Sequence, residues 1–63
     1  MAIIRNGTPV RVVNPQWENT KYKNQAGLVR DNTILWGGVM SYQVELDGNK
    51  RVWFDARELK VLR

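Results

Sequence analysis

The chain holds no cysteine and no histidine, so whatever chemistry it does must come from carboxylates, cations and aromatic rings. Without cysteine there is no thiolate nucleophile, no disulfide and no thiolate zinc site. Without histidine the commonest neutral-pH general base and metal ligand is gone. The six acidic residues, Glu18, Asp31, Glu45, Asp47, Asp55 and Glu58, include no pair spaced for acid/base work. Asp47 precedes Gly48 as in a turn, Asp55 and Glu58 stand three apart as in a capping box, and Glu45 sits where a basic residue would face it across a hairpin. Ser41 has no base near it in sequence, and no glycine-rich loop could cradle a phosphate. The expectation is therefore no enzyme, no cofactor and no metal.

Binding chemistry remains. Residues 17–23 read WENTKYK, in which Trp17 and Tyr22 are mixed with Lys21 and Lys23, a combination suited to stacking bases or gripping anionic groups. Arg11 and Arg30 extend the basic set onto neighbouring strands. Arg51 adjoins Trp53, whose indole must point outward if Val52 and Phe54 point inward, because side chains alternate along a strand; Arg and Trp are the residues that carry most energy at interfaces. The candidate partner-binding residues are thus Arg11, Trp17, Lys21, Tyr22, Lys23, Arg30, Arg51 and Trp53. Structural roles compete with this reading: Tyr22 could pack on the core, the lysines could merely be solvated, and a loop could cover Trp53. Ten Lys and Arg against six Asp and Glu give a net charge of +4, enough to attract an acidic protein, nucleic acid or an anionic surface, and enough simply to keep a small domain soluble.

The elements that must position these residues follow a period of two. PVRVVN alternates around Arg11 and predicts a first strand entered at Pro9 and ended by Asn14-Pro15, followed by a long polar loop. QAGLVRDN predicts a second strand stopped by Asp31-Asn32, and ILWGGVM a strand end and a turn apolar enough to be an interface. SYQVEL places Tyr42, Val44 and Leu46 on one face; Asp47-Gly48 then signals a tight hairpin into KRVWF. DARE predicts one 3-10 turn before a last strand, LKVL. With 63 residues and no repeat or linker, residues 1–63 are expected to be a single all-β domain, a small five-stranded SH3-like barrel with one 3-10 turn before the last strand. Gly27 lies in the second strand, which such a barrel must bend, and a residue without a β-carbon permits the bend.

Gly7, Val10-Arg11-Val12, Tyr22, Gly27-Leu28-Val29, Val44, Leu46, Val52, Phe54 and Glu58-Leu59 together resemble the small SH3-like barrels of photosynthetic electron transport. The likeness is strongest to the S-type subunit of the NAD(P)H dehydrogenase-like complex and looser to the E-type peripheral subunit of photosystem I. That resemblance implies a non-catalytic accessory subunit that docks an acidic protein partner, ferredoxin, through basic residues as part of a larger complex. The extra Trp17, Trp36 and Trp53 and the Gly37-Gly38 turn depart from the pattern. VRVVN followed by YKNQAGLV is also similar to KOW-type elements, which implies nucleic acid as the alternative partner; Asn24 stands where that element has glycine. The short apolar start and the absence of eighteen consecutive apolar residues predict no signal peptide and no membrane insertion. The expected location is the cytoplasm, or the periphery of a membrane-bound complex.

Overall fold

The computed structural model describes residues 3–62. Five strands form: β1 (Pro9–Val12), β2 (Ala26–Ile34), β3 (Met40–Leu46), β4 (Lys50–Asp55) and β5 (Leu59–Val61). All neighbours are antiparallel, in the order β4-β3-β2-β1-β5. The all-β expectation holds, and the alternation read from sequence sets the faces: Val10 and Val12 of β1, Tyr42, Val44 and Leu46 of β3, and Phe54 of β4 are buried, while Arg11, Arg51 and Trp53 face out. These buried residues join Val29, Met40, Leu59 and Tyr22 in one core drawn from every strand.

The expected closed barrel is not formed by strand pairing, since β4 and β5 are the two edges of one open sheet. Only three residues, the 3-10 helix η4 (Ala56–Glu58), join them, and β5 is itself three residues long. The edge of β4 is occupied instead by a side chain: Asn19 Nδ2 donates to the Trp53 carbonyl at 3.1 Å, which blunts an otherwise open edge.

Three further 3-10 segments accompany the one expected. The polar stretch after β1 is a six-residue 3-10 helix, η1 (Trp17–Tyr22), rather than a loop. It is tied by Asn19 N to Gln16 O, Lys23 N to Thr20 O and Thr20 Oγ1 to Trp17 O. With Tyr22 its only buried residue, η1 has no apolar period that a sequence pattern could register. The other two close hairpins, at η2 (Trp36–Gly38) and η3 (Asp47–Asn49). In the second, the consecutive left-handed residues are Gly48 (φ 79°) and Asn49 (φ 62°), one position later than Asp47-Gly48 suggested; Asn is among the few side chains that tolerate this region.

Asp31-Asn32 does not stop β2. The strand continues to Ile34 through a bulge between Val29 and Asp31, which bends it and adds twist. The bent β2 pairs with β1 through residues 26–28 and with β3 through residues 28–34. Gly27 sits at the corner, where a β-carbon would collide with the Glu45 carbonyl oxygen and stand 2.9 Å from Val44 Cγ1. Close backbone approach in a bent strand is therefore what excludes a side chain here. Among the described residues no helix is long and apolar enough to cross a membrane.

Candidate functional site

Glu58 organises the most elaborate surface feature of the molecule. At 3 % exposure it is buried, and its carboxylate collects donors from two segments far apart in sequence. Oε1 accepts from Gln16 N at 2.7 Å and from Asn19 Nδ2 at 3.3 Å, and Oε2 accepts from Asp55 N at 2.7 Å. The last is the capping-box bond expected from DARE, which satisfies a free amide at the start of η4. The other two are not legible in the sequence, because they depend on η1 folding back onto η4. Hydrogen bonds to a charged acceptor are stronger than neutral ones, so Glu58 fixes η1 against the β4–β5 junction.

That fixation opens a groove of about 340 Å³ between η1, the β2–β3 turn, β4 and η4. Trp17, Leu35, Trp53 and Arg57 line it from these four elements in turn. Trp17 is 86 % exposed and adopts φ 54°, a left-handed conformation that bulky residues rarely take. Strained backbone of this kind concentrates at functional sites. Trp53 is 41 % exposed on the outer face of β4. Arg57 Nη2 lies 3.6 Å from Asp55 Oδ2 on the groove wall, with the guanidinium exposed and the carboxylate half-buried. Sequence alone names Trp17 and Trp53 as anchors but not Leu35, Arg57 or Asn19. The alternating pattern says nothing about residues in turns, so only the apolar run ILWGGVM offers a hint.

The remaining candidates separate into different patches. Tyr22 is not available as an anchor: at 8 % exposure it is core, edge-on to Phe54 with ring centroids 6.0 Å apart at 83°. The ammonium groups of Lys21 and Lys50 each stand 5.3 Å from the Tyr22 ring centroid, within cation–π range. Lys23 follows η1 and is exposed. Arg30, at the β2 bulge, and Arg51, on β4, share Glu45, at 3.0 Å and 3.5 Å from its Oε1. Glu45 thus has the cross-hairpin basic partner its position suggested, and a second one from β2. Arg11 donates from Nη1 to the Asn24 carbonyl at 2.8 Å and lies directly opposite Lys60 on β5. Among the described residues neither Arg11 nor Lys60 has a salt-bridge partner.

Trp17 and Trp53 are therefore brought together in one groove, whereas Lys21, Lys23, Arg11, Arg30 and Arg51 are exposed outside its lining, Arg51 on the same outer face of β4 as Trp53. Comparison with protein-family models, with curated proteins and with solved structures returned no match.

Proposed function

We propose that this chain is a non-catalytic docking module, an SH3-like barrel in plan, that docks an acidic protein partner, with Trp17 and Trp53 in the groove as apolar anchors and the cations outside the groove drawing the partner in. The observation that carries this reading is the convergence of two exposed indoles, Leu35 and a guanidinium from four separate elements on one groove held open by a buried carboxylate. Aromatic and Arg side chains around a preformed depression are the usual anchors of an interface. The barrel plan is supported by β5 returning to pair with β1 after a 3-10 turn, and by a core shared among all five strands. The acidic character of the partner is supported by the net charge of +4 and by the exposed cations outside the groove; the groove itself holds Arg57 beside Glu18, Asp55 and the already bonded Glu58, so it supplies apolar anchoring rather than positive charge. Ferredoxin is the acidic protein that the sequence resemblance implies, and it is the first probe to use. Amide shifts of the labelled chain titrated with a plant-type ferredoxin at low salt should move at Trp17, Asn19, Leu35, Trp53 and Arg57, and the effect should fade with added salt. Shifts confined to Arg11 and Lys60, or none with either ferredoxin or an Asp/Glu-rich peptide, would sink the proposal.

One observation favours a second reading, a nucleic-acid-binding module. Arg11 and Lys60 are like charges directly opposite each other across β1 and β5, an arrangement that is unfavourable unless an anion comes between them. Phosphates would supply it, with a steep loss of affinity as salt rises. A mobility shift with single-stranded DNA and RNA at physiological salt decides this reading: it predicts retardation that Arg11→Ala abolishes.

A further inference from the structure

Among the described residues the β2–β3 turn is the most exposed apolar feature, and the docking groove does not use its apex. Trp36 is 98 % exposed at the tip, flanked by exposed Ile34, Leu35 and Val39. Two backbone bonds, Leu35 N to Val39 O at 2.7 Å and Gly38 N to Leu35 O at 3.1 Å, fix the turn, so the indole is presented on a defined support. Beside the tip lies a second depression of about 370 Å³, lined by Gly38, Val39, Met40, Ala56 and the Asp55–Arg57 pair. The molecule thus carries an apolar projection and, next to it, an apolar recess.

We infer that this tip is a self-association surface, on which Trp36 of one copy seats in the recess beside Val39 and Ala56 of a second copy, and the reverse. Projection and recess are adjacent, so a twofold axis through the tip satisfies both at once, as closed dimer interfaces require. Charge selects this occupant over an acidic protein or an anionic bilayer. Residues 34–40, ILWGGVM, contain no charged side chain, and at the recess Arg57 is balanced by Asp55 beside it. Two copies carrying +4 each can therefore approach here without opposing like charges, whereas an anionic partner would find no unbalanced cation at the tip. The area is adequate for a weak dimer. A bare indole offers about 200 Å², and the aliphatic neighbours bring the tip to on the order of 500 Å² per copy, near the roughly 600 Å² per partner of small specific interfaces. Area does not fix affinity, so a midpoint on the order of 100 µM is taken as the working value for a weak interface of this small size.

Sedimentation equilibrium of the full chain from about 10 µM to 1 mM, a range set to bracket that midpoint, tests this. The mass should rise from the monomer's 7.3 kDa toward twice that value. Trp36→Ser, which removes the projection, and Ala56→Arg, which fills the recess, should both stay monomeric with unchanged melting temperature. In a Trp17→Phe, Trp53→Phe background the emission of Trp36 should shift to the blue as concentration rises. A wild-type mass fixed at the monomer throughout that range overturns the inference. So does a dimer that persists in Trp36→Ser or Ala56→Arg, which would place the contact elsewhere. Flotation of a monomeric chain with phosphatidylserine-containing vesicles, lost in Trp36→Ser, would make the tip a bilayer anchor and overturn it as well.

Discussion

Replacing Glu58 with Ala should be the most damaging substitution of a polar side chain in this protein. The carboxylate accepts from two backbone amides at 2.7 Å and from one side-chain amide. Bonds to a charged group contribute about 1.5–3 kcal/mol each, and burying their donors unpaired is costly. Water can reach the partly buried Gln16 amide and recover some of this, so the expected loss is about 3 kcal/mol. A chain of this size has only about 3–9 kcal/mol of stability in total. With a urea m-value of about 1 kcal/mol/M for so small a domain, the midpoint should fall by about 3 M. Equilibrium urea unfolding followed by far-ultraviolet circular dichroism measures the midpoint, and amide hydrogen exchange should show protection lost first at Gln16, Asn19 and Asp55. Glu58→Gln, which keeps one acceptor but turns a donor toward one of the amides, should lose roughly half as much. A Glu58→Ala midpoint within about 0.5 M of the parent, with η1 still protected, would refute the claim that this carboxylate fastens η1 to η4.

Other substitutions separate strain, packing and surface charge. Trp17→Gly should raise stability by about 1 kcal/mol, because glycine adopts φ 54° without the cost an L side chain bears, while abolishing ferredoxin- or peptide-induced shifts in the groove; thermal melts and the same titration read the two effects. Gly27→Ala should cost about 3 kcal/mol or prevent folding, since the new methyl meets the Glu45 carbonyl, a backbone atom with nowhere to go; urea denaturation measures it. Tyr22→Ala should cost about 3–5 kcal/mol by emptying a core site, whereas Tyr22→Phe should stay within about 0.5 kcal/mol and leave docking intact; paired thermal melts compare the two. Glu45→Gln, which unpairs Arg30 and Arg51 at the surface, should change stability by less than about 1 kcal/mol, a result a double-mutant cycle with Arg30→Ala can check.

The inside and outside of each strand can be read from the sequence, because alternation in a half-buried strand is a local property of the chain. Val10, Val12, Tyr42, Val44, Leu46 and Phe54 face in for the same reason that Arg11, Arg51 and Trp53 face out. The capping box at Asp55 and Glu58 is equally local. What the sequence conceals is everything that depends on segments meeting across the fold. Asp31-Asn32 looks like a stop, yet the ladder to β3 outweighs the turn preference and absorbs the irregularity as a bulge. Tyr22 reads as a binding aromatic among lysines, but Phe54, far along the chain on β4, takes it into the core. The groove depends on Glu58 reaching Gln16 and Asn19, and the sheet stays open because after η4 the chain pairs β5 with β1 rather than turning back onto β4. Periodicity is written into neighbouring residues, so the chain alone decides which side chains face the core; long-range hydrogen bonds and edge contacts belong to pairs of distant residues, and only the assembled structure decides them.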